Sequence, residues 1–199
     1  DAPLLEYLDQ FGNTLVSAYP GARGEANYEY GFFAVRDPVL NAFALPGGFI
    51  AAHSGLILAA QSESELASVL AHEIGHVAQR HIARGIGQQK QDALIPLASI
   101  LLAVLASRAS SDAAIALVEG GQGLALQRQL NFSRDLEREA DRVGFQILKA
   151  AQFDTSGMVA FFGRMQTASR GYSDAVPAYL RSHPLTTERI AEAQARLQL

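Results

Sequence analysis

The segment Ala71-His72-Glu73-Ile74-Gly75-His76-Val77 contains the pattern His-Glu-x-x-His within a stretch of strong helical character. At about 100° per residue, His72 and His76 lie about 40° apart on a helix, so both imidazoles leave one face. Two neutral imidazoles at this spacing can bind one small cation, and zinc commonly takes histidine nitrogen together with carboxylate oxygen. Glu73 should lie beside the cation, where a carboxylate can accept a proton from the attacking water. The alternative is a buried helix with two hydrogen-bonded histidines.

The residues around this motif predict the extent of the helix. Ser62 begins a capping-box pattern, so the helix should run from residue 63 to about residue 83 and end before the glycines that follow. Its many Ala, Leu and Val residues predict burial on most sides. His81 lies nine residues after His72, about 180° round the helix, and we interpret it, like His53, as structural.

A charged helix is predicted for residues 132–150, with Glu137 and Asp141 on one face because they are four residues apart. One carboxylate could complete a His-His-Glu zinc site, and the other could accept the free N–H of a ligand imidazole. The alternative is a solvated helix face on which the acidic residues pair with Arg138 and Arg142. The presence of the His-Glu-x-x-His motif favours metal ligation.

A small sheet is predicted between the first helix and the motif. Residues 28–35, 39–45 and 49–52 have strand composition, separated by a turn at residues 36–38 and a break at Pro46-Gly47-Gly48. The double glycine permits a close backbone approach, which either a tight turn or a bound peptide could use.

Apolar patterns predict further helices. Residues 3–18 should form an amphipathic helix that covers the body, and residues 88–92 are polar and predict a loop. Residues 93–106 favour a buried helix, with a membrane-surface or lid helix as the alternative. At about fourteen residues this segment is shorter than the roughly twenty needed to span a bilayer. A cap at residues 110–112 predicts another helix, interrupted at Gly120-Gly121.

The C-terminal part of the chain predicts two more helices and a loop. Asp154-Thr155 should cap a helix that runs to about residue 168 and contributes Met and Phe side chains to the core. Residues 171–182 predict a loop. A closing amphipathic helix should begin near Thr186, after a lone His183 that, from its local context, carries no functional signal.

Composition limits the function classes. The 199 residues are 49% hydrophobic and 18% charged with a net charge of −4, which favours one folded domain over residues 1–199. No basic cluster with interleaved aromatic residues indicates nucleic-acid binding. Because there is no cysteine, a metal must be held by histidine and carboxylate groups. The chain begins without Met or a signal sequence, and the lack of a twenty-residue apolar span argues against a membrane-embedded enzyme.

Four separated motifs occur in order along the chain. They are Asn41-Ala42-Phe43-Ala44-Leu45-Pro46-Gly47-Gly48, the His-Glu-x-x-His pattern, Glu137-x-x-x-Asp141 and His183-Pro184-Leu185-x-x-x-Arg189. Together they resemble the gluzincin peptidases of the HtpX and CAAX-prenyl-endopeptidase family, most closely its periplasmic BepA-like branch. The chain does not fit the metzincin pattern, which would need Gly at position 79 and His at position 82.

The resemblance implies specific roles for site residues. One zinc ion per chain would be held by His72, His76 and Glu137, and Glu73 would act as general base and acid. His183 would be a fourth ligand that latches the resting enzyme. Asp141 would support a ligand histidine, and Arg189 is a candidate for holding Glu137 or stabilising the oxyanion. Substrate would bind along an edge strand at Phe43, Gly47 and Gly48.

The implied fold is α+β but mostly α, a zincin-like domain with about three strands packed on the active-site helix. Within the domain, residues 1–20 would form the covering helix, residues 88–130 lid-like helices, and residues 183–199 the His-Pro loop and closing helix. The implied function is zinc-dependent endoproteolysis of unfolded or misassembled envelope proteins in the periplasm. The alternative is a chaperone-like outer-membrane protein assembly factor with little proteolysis. Expected partners are protein substrates and the outer-membrane assembly machinery, with peripheral membrane contact but no nucleic acid.

Overall fold

The computed structural model describes residues 2–24, 27–171 and 176–198, and it is mostly helical with one small sheet, as predicted. The elements in chain order are α1 (Ala2–Ala18), a short 3₁₀ helix (Pro20–Arg23), β1 (Gly31–Val35), β2 (Ala42–Leu45), β3 (Phe49–His53), α2 (Ser54–Ala59), α3 (Glu63–Ala78), α4 (His81–Asp92), α5 (Leu94–Ala106), α6 (Ser111–Ala150), α7 (Ser156–Gly171), α8 (Ala178–Ser182) and α9 (Thr187–Arg196). The chain divides into two compact units. The first contains Asp1–Arg80 and Glu137–Leu199, and the second contains His81–Leu136.

The sheet of the first unit has the strand order β1-β3-β2. Strand β3 pairs in parallel with β1 and antiparallel with β2, so β2 is an edge strand of this sheet. Between β2 and β3, Gly47 and Gly48 have φ of 93° and 92°, a region that residues with a Cβ rarely adopt. The double glycine therefore forms a tight turn. The three predicted strands are confirmed, although the first two begin three residues later than expected.

The core of the first unit lies between the sheet, α1, α3 and α7. Helix α1 buries Leu8, Leu15 and Val16, which confirms that it covers the body. Helix α7 buries its Met and Phe side chains, as predicted. Helix α3 contacts β2, β3, α1 and α7, and nearly all of its residues are buried. The sheet therefore packs on the helix that carries the His-Glu-x-x-His motif.

Helix α3 begins as predicted but ends earlier. The Ser62 hydroxyl accepts a hydrogen bond from the Glu65 N–H at 3.2 Å, and the Glu65 carboxylate accepts one from the Gln61 N–H at 3.1 Å. The helix ends at Ala78 instead of near residue 83, because Arg80 adopts a left-handed conformation with φ of 55°. The predicted break at the later glycines is therefore wrong, since α4 continues through them.

Helices α3 and α6 approach closely at two glycines. An added Cβ at Gly75 would lie 2.9 Å from the carbonyl oxygen of Ala140. An added Cβ at Gly144 would lie 3.1 Å from the backbone nitrogen of His72. Any side chain at either position would push the helices apart. This contact brings the acidic face of α6 against the histidines of α3.

The second unit differs from the sequence-based predictions in three ways. Residues 88–92 belong to α4, not to a loop, and α6 continues through Gly120-Gly121 for a total of 40 residues. Helix α5 is not buried, because only Ser99 and Ala103 are inaccessible while its large apolar side chains are exposed. The buried helix predicted for residues 93–106 is therefore wrong, because no surface within residues 81–136 covers its apolar side chains.

The second unit also contains a helical segment long enough to cross a membrane, which the sequence did not predict. By length and composition alone, the 26 residues His81–Ala106 are helical and apolar enough to cross a membrane. The loop predicted at residues 88–92 divides this segment, so the expectation that the chain lacks such a span is wrong. The lid-like role expected for residues 88–130 stays a prediction.

The C-terminal segment of the first unit forms the expected caps. The Asp154 carboxylate accepts a hydrogen bond from the Ser156 N–H at 2.9 Å at the start of α7. The Thr186 hydroxyl accepts one from the Arg189 N–H at 3.3 Å at the start of α9. The loop predicted for residues 171–182 is only partly correct, since residues 178–182 form α8 and residues 172–175 lie outside the described residues.

Candidate metal centre

The two histidines of α3 point to one place, as their spacing predicts. The Nε2 atoms of His72 and His76 lie 3.0 Å apart. His72 is buried and His76 nearly so, because the sheet and α7 cover most of α3. A shared position for one small ion is therefore available to both rings.

Glu137 and His183 bring two further donors to the same place. The Glu137 carboxylate oxygens lie 3.3 Å from His72 Nε2 and 3.3 Å from His76 Nε2. His183, which follows α8, places Nδ1 at 3.3 Å from His72 Nε2 and 3.2 Å from Glu137 Oε1. One donor atom from each of the four residues lies within 4.8 Å of the others.

The shortest of these separations match the edges of a tetrahedral zinc site. Four donors at bond lengths of about 2.0 Å lie about 3.3 Å apart along the edges of a tetrahedron. The closest donor–donor distances here run from 3.0 to 3.3 Å. Three imidazole nitrogens with one carboxylate are also a donor set typical of zinc and unlike the oxygen-rich sets of calcium and magnesium.

The charge of the site also favours a cation. Glu73, Glu137 and Asp141 are all buried, and the only buried guanidinium beside them within the described residues belongs to Arg189. Buried charge is strongly unfavourable unless it is compensated. With the histidines neutral, as ligation of a metal requires, the excess of two negative charges matches one divalent ion.

Asp141 orients His72 from the side away from the other donors. Its Oδ1 atom lies 2.9 Å from Nδ1 of His72. A proton on Nδ1 then donates to the carboxylate, which leaves the Nε2 lone pair directed at the donor cluster. Asp141 therefore lies where the sequence predicts a supporting carboxylate.

Arg189 joins both carboxylates of α6 to the His-Pro segment. Its guanidinium donates to the two oxygens of Asp141 at 2.6 and 2.8 Å, lies 2.9 Å from Glu137 Oε2, and donates to the Pro184 carbonyl at 2.7 Å. Burial lowers the pKa of Arg189, but the hydrogen bonds to Asp141 outweigh it, so the pKa is raised and the group stays charged. Of its two candidate roles, the geometry favours holding Glu137.

The carboxylates of Asp141 and Glu137, together with burial, shift the pKa values of His72 and His76. Burial lowers the pKa of His72, but hydrogen bonds to Asp141 and Glu137 more than reverse this and raise the pKa to about 10. Burial dominates at His76 and lowers its pKa. The edge of the cluster nearest His72 therefore stabilises a positive species strongly, whether a proton or a metal ion.

Glu73 lies beside the donors and not among them, as its position on the helix predicts. Its side chain is almost fully buried, and Oε1 lies 3.4 Å from Nε2 of His183. That contact lacks hydrogen-bond geometry, and Oε1 accepts no hydrogen bond from the described residues. A buried carboxylate oxygen without a donor is available to accept a proton.

Tyr179 is a site residue that the sequence analysis missed. Its ring stacks on the imidazole of His183, with centroids 4.6 Å apart and planes inclined by 30°. Its carbonyl accepts the His183 N–H at 2.8 Å, and its own N–H donates to the Leu40 carbonyl at 3.2 Å. Burial raises the pKa of its hydroxyl. Because Tyr179 falls in a predicted loop, no motif or periodicity marked it.

The other predicted residues are placed as follows. Phe43 lies on the edge strand β2, where its ring contacts the ring of His53 edge-on at 5.8 Å. Gly47 and Gly48 form the turn that ends β2. His53 lies near Asp37 and His81 belongs to the second unit, so neither joins the four-residue cluster.

Comparison with known proteins identifies the family to which these motifs belong. Residues 7–197 match Peptidase family M48. A protein of Vibrio cholerae is 41% identical over 196 residues, covering 98% of this chain and 40% of the relative. A protein of Yersinia pestis is 37% identical over 196 residues, covering 98% of this chain and 39% of the relative. The names of both contain the words "beta-barrel assembly-enhancing protease".

A third relative comes from a eukaryote. The mitochondrial metalloendopeptidase OMA1 of Arabidopsis thaliana is 34% identical over 155 residues, covering 78% of this chain and 29% of the relative. The chain spans about two fifths of the length of the two bacterial relatives. The resemblance inferred from the four motifs is confirmed: the chain belongs to the metalloproteases of Peptidase family M48.

Proposed function

We propose that this chain is a zinc-dependent endopeptidase in which His72, His76 and Glu137 hold the ion. The observation that carries the proposal is the convergence of these donors at 3.0 to 3.3 Å beside the Glu73 Oε1 atom, which accepts no hydrogen bond from the described residues. Bound there, zinc would supply Lewis-acid polarisation of the scissile carbonyl and acidify the attacking water.

Glu73 is the proposed general base and acid. Its Oε1, once His183 withdraws, would accept the proton of the attacking water and return it to the leaving amine. Asp141 would keep His72 in the tautomer that directs Nε2 at the ion, and Arg189 would hold Glu137 and Asp141 in place. Each of these tasks follows from a contact within the first unit.

His183 is the proposed latch. Its imidazole lies between the carboxylate of Glu73 and the donors of Glu137 and His72, where water and the scissile peptide must bind. Stacking on Tyr179 and the Arg189 contact to Pro184 hold the segment in this position. Catalysis therefore requires His183 to withdraw, and the enzyme rests in a latent state.

The proposed substrate is an extended segment of polypeptide. Strand β2 is an edge of the sheet and packs beside α3, so a peptide could pair with it along Phe43 up to the turn at Gly47 and Gly48. An extended, accessible backbone is a feature of unfolded or misassembled proteins. The names of the bacterial relatives refer to beta-barrel assembly, and on that basis we propose substrates in the cell envelope, a periplasmic location and a connection to outer-membrane protein assembly. An assembly factor with little proteolysis is less well supported, because the relatives are named as proteases.

The test compares casein cleavage by zinc-loaded wild type, His183→Ala and the double variant Glu73→Gln/His183→Ala, with zinc content measured in each. We expect slow cleavage by wild type, at least about tenfold faster cleavage by His183→Ala, and none by the double variant. Equal cleavage by wild type and His183→Ala would contradict the latch. Cleavage by the double variant would contradict the role of Glu73. Zinc binding without cleavage by His183→Ala would contradict the proposed enzyme and favour a binding function.

A further inference from the structure

The second unit exposes its large apolar side chains and buries mainly small or polar residues. All of residues 81–136 are described, and their buried positions are His81, Asp92, Ser99, Ala103 and Gly121. None of the Leu, Ile or Val residues in this unit is buried. A unit that exposes its large apolar side chains to water loses the main driving force of folding, which is the burial of that surface.

The exposed apolar side chains lie on two helices. On α5 and on the part of α6 within this unit, they are Leu94, Leu97, Ile100, Leu101, Leu102, Val104, Leu105, Ile115, Leu117, Leu124, Leu126 and Leu130. On α5 they cover an arc of about 200° when each residue turns the helix by about 100°. The apolar stripe that faces a single protein surface is usually nearer 100° wide. The arc on α5 is therefore too wide for one docking groove.

Small and polar groups form the contacts that α6 makes with α5 and with α4. An added Cβ at Gly121 would collide with the Ser99 side chain, so α5 and α6 approach closely there. The Asp92 carboxylate is paired with Arg128 at 2.9 Å and with the Gln88 amide at 3.0 Å. Small residues at the helix contact and large apolar residues facing outward are the arrangement of helices surrounded by lipid.

Charge and shape agree with a lipid environment. Residues 93–107 carry no charge, and exposed Lys90 and Arg108 flank them on either side, where basic groups can reach anionic headgroups. A groove of about 580 Å³ between α5 and α6, lined mainly by Ile100, Val104, Ile115 and Val118, offers apolar walls to an acyl chain.

We propose that α5 and residues 115–130 of α6, which carry the exposed apolar side chains, insert into the hydrocarbon phase of a phospholipid bilayer. The 13 residues of α5 are about 20 Å long, less than the roughly 30 Å hydrocarbon thickness, so α5 by itself enters the bilayer from one side without crossing it. The preceding α4 carries Arg84, Lys90 and Asp92 and stays at the headgroup level. This inference is independent of the proposed proteolysis.

The test is flotation of the 199-residue chain with vesicles of phosphatidylethanolamine and phosphatidylglycerol. We expect wild type to float and to remain bound at high salt, because the attachment is apolar. Leu97→Glu/Leu101→Glu should reduce the vesicle-bound fraction at least about tenfold. The matched control is Leu58→Glu, since Leu58 is 85% exposed on α2 of the first unit, and this variant should float like wild type. Wild type that does not float, or equal losses in both variants, would overturn the proposal.

A second measurement separates lipid from protein as the covering surface. The chain has no cysteine, so Leu101→Cys and Leu58→Cys each accept one environment-sensitive fluorophore. The dye at position 101 should shift to the blue only with vesicles and be quenched by brominated acyl chains, whereas the dye at position 58 should not respond. A blue shift that depends on protein concentration without lipid would identify a second copy as the occupant and overturn the proposal.

Discussion

The Nδ1 atom of His72 lies 2.9 Å from Oδ1 of Asp141, so one imidazole connects the donor cluster on α3 with a buried carboxylate on α6. The same Asp141 oxygen accepts a hydrogen bond from Arg189 at 2.8 Å. The orientation of His72 is therefore fixed on both sides: by the cluster at Nε2 and by this ion pair at Nδ1.

Asp141→Asn should weaken zinc binding by about 10- to 100-fold, because the amide supports the His72 N–H less well and leaves Arg189 partly unpaired. Competition with a chromophoric chelator measures the affinity. Asp135→Asn, an exposed position on the same helix, is the control and should bind zinc like wild type. Unchanged affinity in Asp141→Asn would mean that Asp141 has only a structural role.

Glu137→Gln should lose bound zinc, because it removes the only carboxylate of the four-residue donor set. Elemental analysis of the purified variant gives the metal content, and circular dichroism shows whether the fold is kept. The exposed substitution Glu119→Gln on the same helix should retain the ion. Stoichiometric zinc in folded Glu137→Gln would show that another group completes the site.

Arg189→Met should lower the free energy of unfolding by about 3–5 kcal/mol, because Asp141 and Glu137 would remain buried with less compensation. Urea denaturation measures this change. The control Arg142→Met removes an exposed guanidinium from α6 and should cost less than about 1 kcal/mol. If both variants lose the same stability, the buried ion pairs are not what holds this segment.

Glu65 should make stability depend on acid pH. Its carboxylate accepts hydrogen bonds from Arg164 at 3.1 and 2.8 Å, and these lower the pKa of Glu65 from its ordinary value of 4.5 although burial raises it. Because the pKa is lower in the folded state, the stabilisation is present above pH 4.5 and is lost as the pH falls through the folded pKa.

Glu65→Gln should therefore be about 1–2 kcal/mol less stable than wild type at neutral pH, with the difference shrinking in acid. Urea midpoints collected across the pH range measure this. Glu6→Gln, an exposed position on α1, should follow the wild-type curve at every pH. A constant difference between Glu65→Gln and wild type would refute the ionic origin of the effect.

Local chemistry made part of the fold predictable from sequence. The cap at Ser62, the shared face of His72 and His76, and the facing of Glu137 and Asp141 all depend on residues within a few positions of each other. Helical geometry alone fixes such relationships. That His183 lies among the donors followed only from resemblance, because a lone histidine before proline has no local signal.

Tertiary structure decided the positions that the sequence analysis misjudged. Helix α3 ends where Arg80 turns left-handed, not at a glycine. Helix α4 continues through Gly85 and Gly87. Each glycine costs about 1 kcal/mol of helix stability relative to alanine, and the neighbouring helical turns can outweigh this cost. Tyr179 could not be identified from the sequence, because its contact with His183 depends on α8, which was predicted as a loop.

The contact of α3 and α6 at Gly75 and Gly144 would act as a size filter for the ion that we propose. Because neither position has a Cβ, the helices lie close enough for Glu137 on α6 to place its oxygens 3.3 Å from His72 and His76 on α3. An ion such as calcium, with bonds of about 2.3–2.6 Å, would need these edges to lengthen and the helices to separate. Two missing methyl groups on the backbone would thus discriminate against large cations, although neither glycine belongs to the donor set.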